Sequence, residues 1–136
     1  MEVNEINNEA TQTLIFNMKK LINRDVYADV VFLVEGKKIF AHKAILQAQC
    51  DFFRSMFTNG MKETNQTEIE IFDWSHNSFL YMIEYLYTGQ IDNFNKLVAI
   101  EVLGLADAFG IENLKVLSEN TLIHNVDNEN VSDYLC

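Results

Sequence analysis

The chain has 136 residues, 49% of them hydrophobic and 22% charged, which is enough for one domain with its own core and excludes a disordered segment. Twenty acidic residues against ten basic ones leave a net charge of −10, so this segment lacks the basic face that nucleic acid or an anionic membrane requires. Two cysteines, Cys50 and Cys136, exclude a disulfide-stapled miniprotein and a four-cysteine zinc site, and they point to a reducing compartment, cytoplasmic or nuclear.

In chain order, residues 1–9 (MEVNEINNE) are polar and acidic and read as a flexible lead, with neither the basic start nor the apolar stretch of a targeting peptide. Residues 10–23 then place Leu14, Ile15, Met18, Leu21 and Ile22 on one stripe at helical spacing, with Lys19, Lys20 and Arg24 near the end where cations suit the helix dipole. The β-branched and aromatic run Val30–Val34, the turn signal Glu35-Gly36-Lys37 and the run Lys38–Ala41 predict a hairpin, with Gly36 free to take a positive φ. A short helix over 42–48 and a second over 51–58 follow, and Asn59-Gly60 stops the second. Beyond a polar loop, the alternation of residues 68–72 predicts a strand with one wet face. Three helices complete the pattern. The first spans 75–88, capped by Asp73 or Ser75 and ended by Gly89. The second spans 96–109 and stops at Gly110, and the third spans 112–125 with Leu114, Leu117 and Leu122 inward. The fold class is therefore α+β, a helical cluster flanked by a small sheet.

The chemistry-bearing residues do not assemble into an enzyme. There is no glycine-rich phosphate loop and no nucleophile elbow, and His42, His76 and His124 stand too far apart for a metal motif, so no cofactor and no metal are expected. His42, near a strand end, reads as a hydrogen-bonded structural histidine. Trp74 reads as a packing lid at the start of a helix. Cys50, although placed at a helix start, reads as structural rather than nucleophilic. Phe52, Phe53, Phe57, Phe79, Tyr85 and Phe109 lie at helical spacing and are assigned to core or interface.

Four ordered blocks carry a resemblance. The run DVVFLVEGKKIFAHKAIL (29–46), FFRSMFTNGMKET (52–64), the pattern F-x-x-M-I-E-Y-L-Y-T-G-Q-I (79–91) and LADAFGIENL (105–114) resemble a BTB/POZ domain over residues 10–125. Two departures are Cys50, where the family often has serine, and His76, where proline is common; Asp51 and Ser75 can supply the capping oxygens. The resemblance implies a protein-interaction domain without catalytic activity that forms a homodimer through its N-terminal helix, with Leu14, Ile15, Met18 and Leu21 at the interface. It also places Asp29 and Lys43 facing each other nearby. Met61-Lys62-Glu63-Thr64 stands where family members that bind cullin-3 carry a hydrophobic-x-Glu motif. An adaptable thioether and a hydrogen-bond-accepting carboxylate suit such a contact. Residues 126–136 resemble the start of the three-box or BACK helical extension of cullin-3 adaptors. The expected role is a substrate adaptor in a cullin-3 ubiquitin ligase complex, with an unknown substrate captured by a segment outside this chain. A transcription-type dimer recruiting a corepressor and a pure dimerisation module without cullin binding are the alternatives.

Overall fold

The structure, a computed structural model, describes residues 2–58 and 68–130, with side chains placed within 8–58 and 68–124. In chain order the described elements are α1 (Glu2–Lys19), β1 (Val30–Val34), β2 (Lys37–Ala41), α2 (Lys43–Gln49), α3 (Asp51–Thr58), β3 (Glu68–Ile71), α4 (His76–Thr88), α5 (Lys96–Ala108) and α6 (Glu112–Asn130). The three strands form one sheet in the order β2–β1–β3. Strands β1 and β2 pair antiparallel from Val30 opposite Ala41 to Val34 opposite Lys37. Strand β3 runs parallel to β1, from Val31 opposite Glu68 to Val34 opposite Ile71. The hairpin turn is made by Glu35 and Gly36 at φ values of 54° and 76°. Two consecutive left-handed residues match the right-handed twist of the strands they join.

The sheet buries one face under the helices. Val30, Phe32, Val34, Ile39, Ala41 and Ile69 point into the core, and Phe32 sits at its centre, 5.0 Å from the Phe79 ring and 5.7 Å from Phe53. Phe109, at the end of α5, closes the cluster 5.5 Å from Phe53. Burial of each such side chain contributes roughly 1.5–3 kcal/mol, so these aromatics carry much of the fold.

Single residues set the helix ends. Cys50 is extended between α2 and α3; its N–H donates to the Leu46 carbonyl and its own carbonyl accepts from Arg54 N–H, so one residue serves both helices. Its thiol is buried 3.5 Å from the Phe109 carbonyl, a structural placement. Ser75 caps α4 by accepting from Ser78 N–H at 3.0 Å, and Gly89 ends it in the left-handed region at φ 81°. Asn95, to which the sequence reading gave no part, caps α5 by accepting from Val98 N–H. Trp74 is half-buried on the core with its ring against Gly104 of α5, the lid expected of it.

Two boundaries differ from expectation. Residues 2–9, read as a flexible lead, are the first turns of α1, and no glycine or proline there interrupts the helix. That helix stops at Lys19, and Lys20–Ile22 form a tightened turn in which Leu21 N–H reaches the Met18 carbonyl and Ile22 N–H the Lys19 carbonyl. At the other end, α6 runs without a break to Asn130, through the expected boundary at 125 and 126.

Candidate interaction surface

The apolar stripe foreseen for the first helix divides in two. Met18, Leu21 and Ile22 are partly buried on the core where α1 meets α4, and Lys19 Nζ pairs with Asp92 Oδ2 at 2.8 Å to fix that end. Leu14, on the same stripe, is 62% exposed, and Ile15 is half-buried. Phe16, which the sequence reading left unassigned, is 63% exposed with the Lys20 ammonium 4.8 Å above its ring. The i, i+4 spacing of Phe16 and Lys20 is the signal that could have found it. One end of α1 is thus tied to its own domain while the stretch before it holds large apolar groups in water.

The link from α1 to β1 is clamped at three points. The Asn23 side-chain oxygen accepts from Phe40 N–H at 2.9 Å. The Val26 carbonyl lies 2.8 Å from His42 Nε2. Asp29 N–H donates to the Ala41 carbonyl. Between these clamps Tyr27 sits in the left-handed region at φ 61° and is 88% exposed, with Val26 exposed beside it. Holding a tyrosine in that conformation costs roughly 1–2 kcal/mol, and the clamps offset it.

His42 organises the clamp. The Val26 carbonyl can only accept, so Nε2 carries the proton and Nδ1 is left as an acceptor. Tyr87 Oη lies 2.7 Å from Nδ1 and donates to it, while accepting from His42 backbone N–H at 2.9 Å. Both ring nitrogens and the backbone N–H of His42 thus have partners, so this is the structural histidine read from the sequence. Burial pushes the Tyr87 phenol up to about 12, against the His42 N–H bond that lowers it and together with the Asp29 charge that raises it.

Asp29 and Lys43 are brought together through the main chain. Asp29 Oδ1 accepts from Lys43 N–H at 2.7 Å, the cap that the α2 start lacks, since His42 makes no side-chain cap bond. The Lys43 ammonium lies 5.2 Å from the Phe57 ring centroid. Asp29, Lys43, Ala44, Gln47 and Arg54 line an open depression beside α2. The sequence-predicted residues Met61, Lys62, Glu63 and Thr64 lie outside the described residues. Among the described residues, no three of His, Cys, Asp and Glu gather as a metal site, and no helix is long and apolar enough to cross a membrane.

Comparison with known proteins decides the family. The profile of the BTB/POZ domain matches residues 18–126. The chain belongs to the BTB/POZ family. It is 38% identical over 111 residues to TD and POZ domain-containing protein 3 of Mus musculus, covering 81% of this chain and 30% of that protein. It is 35% identical over 115 residues to the ARM repeat protein interacting with ABF2 of Arabidopsis thaliana, covering 85% of this chain and 16% of that protein. The chain thus spans a minor part of the relatives it matches. The BTB domain of human gigaxonin shares the fold, with a TM-score of 0.65 at 22% identity over 82% of this chain and 89% of that one. As a BTB/POZ domain, this chain is a protein–protein interaction module.

Proposed function

We propose that this BTB/POZ domain forms a homodimer through α1 and acts as the docking part of a substrate adaptor for a cullin-3 ubiquitin ligase. The observation that carries the dimer is the position of Leu14 and Phe16, both more than 60% exposed on a helix whose far end is anchored to its own domain. Large apolar groups held in water gain roughly 25 cal/mol per Å² when another surface covers them, and a second α1 offers a matching face. Tyr27 and the Asp29–Lys43 depression extend the area available to a partner.

The cullin half rests on Met61-Lys62-Glu63-Thr64, which follows α3 in the position of the family's hydrophobic-x-Glu motif. The role is geometric. A dimer offers two scaffold-docking surfaces, a segment outside this chain captures substrate, and transfer chemistry takes place on other subunits with proximity supplying the rate gain. The test is a calorimetric titration with the N-terminal region of cullin-3. The wild-type chain binds, and Met61→Ala/Glu63→Ala weakens binding by about tenfold or more. A dimer that ignores the scaffold at high micromolar concentration is a pairing module only, and retention of a corepressor peptide in its place assigns it to transcription.

A further inference from the structure

The two edges of the sheet are treated differently. At β2 the outward N–H of Phe40 is taken by the Asn23 side chain. Strand β3 forms the opposite edge, and among the described residues its backbone bonds only to β1. Alternate residues of a strand direct their N–H and C=O groups to the same side, so the donors and acceptors on the far side of β3 face away from β1 and, among the described residues, meet no backbone partner.

The side chains on β3 say which strand would fit. Ile69 and Ile71 turn toward the core, while Glu68 and Glu70 share the other face and are exposed. A second β3 laid antiparallel along this edge would set glutamate against glutamate, and like charges directly opposed are destabilising. The same row favours a strand with lysine or arginine at alternate positions. At the end of β3, an open depression of about 430 Å³ is lined by Glu35, Glu70, Asp73, Phe72 and Trp74. Glu35 is held there by accepting from His76 N–H at 2.9 Å, and Phe72 is 68% exposed. Carboxylates beside aromatic faces form a seat for a guanidinium or ammonium group. The net charge of −10 steers basic partners toward the domain.

We infer that the outer edge of β3 docks an extended basic segment of another protein as a fourth strand, with alternate lysine or arginine side chains over Glu68 and Glu70 and one more in the depression beside Phe72.

The test uses an eight-residue peptide alternating lysine and threonine, titrated into the isotope-labelled chain and followed by amide shifts and hydrogen exchange. Amides of residues 68–72 shift, and the outward ones exchange more slowly. The same peptide N-methylated at alternate residues keeps its charge but loses its donors, and it binds about tenfold more weakly. In Glu68→Lys/Glu70→Lys, whose changes lie on exposed side chains and whose folding is checked by thermal unfolding, preference passes to a glutamate–threonine peptide. Equal binding of the parent and N-methylated peptides reduces the site to charge attraction and overturns the inference. So does a shift pattern centred elsewhere, or no shift at millimolar peptide.

Discussion

Removing one oxygen atom from Tyr87 tests how the domain holds its Tyr27 loop. Tyr87 is 3% exposed, and its hydroxyl both donates to His42 Nδ1 and accepts from His42 N–H. Tyr87→Phe leaves a buried backbone donor and a buried ring nitrogen without partners. Two net hydrogen bonds at about 0.5–1.5 kcal/mol each, with the desolvation cost of the orphaned groups, give a loss of about 2–4 kcal/mol. Urea unfolding at neutral pH, followed by Trp74 fluorescence, reads this directly. The pH dependence gives a second reading. The phenol is raised to about 12 in the folded chain from an ordinary value of 10, so the folded state binds more protons between these limits. Its contribution is complete below pH 10 and is lost as the pH climbs toward 12. The gap between wild type and Tyr87→Phe therefore narrows over that interval. Tyr85, also raised by burial, is present in both proteins and cancels. A variant within about 0.5 kcal/mol of wild type at neutral pH, below the cost of a typical hydrogen bond, refutes the reasoning, as does a gap that stays constant up to pH 12.

Gly89 and Gly104 respond in opposite directions. Gly89→Ala destabilises by about 1–2 kcal/mol in chemical unfolding, because φ is 81° there although the added Cβ has open space. Gly104→Ala stabilises by about 0.5–1 kcal/mol in the same assay, since the nearest atoms, on the Trp74 ring, lie at an ordinary contact distance of 3.6 Å and the helix gains a better former. Ser75→Ala removes the α4 cap and costs about 1 kcal/mol, read as a lower thermal midpoint. Lys19→Ala breaks an exposed ion pair and costs less than about 1 kcal/mol, an effect that fades when unfolding is repeated at high salt.

What could be read from the sequence was local. The Glu35-Gly36 turn, the span of α3 and the Gly89 stop each depend on residues within one turn of chain and stand where the patterns put them, and of the two caps offered for α4 Ser75 is the one used. The family blocks worked for the same reason, since they are runs of such local signals in order. What escaped was set by distant partners. His42 finds Tyr87 across 45 residues, and no periodicity encodes that pairing. The stripe over Leu14, Ile15, Met18, Leu21 and Ile22 looks uniform in sequence, yet Met18, Leu21 and Ile22 pack on the core while Leu14 stands in water. Tyr27 was overlooked because its exposure comes from a backbone held by three long-range clamps. Asp29 and Lys43 were paired by resemblance, but the atom that Asp29 meets is a backbone amide, which no reading of side-chain charges would choose.

Sedimentation equilibrium of the chain beside Leu14→Asp/Phe16→Asp is the most direct trial of the proposed dimer, on which the proposed adaptor role depends. Both side chains are exposed on the single chain, so the double variant keeps its helical circular-dichroism spectrum while losing the apolar face of α1. The account requires twice the monomer mass for wild type at micromolar concentration and a single monomer mass for the variant. A wild-type chain that sediments as a monomer there, or a variant that still sediments as a dimer, contradicts it.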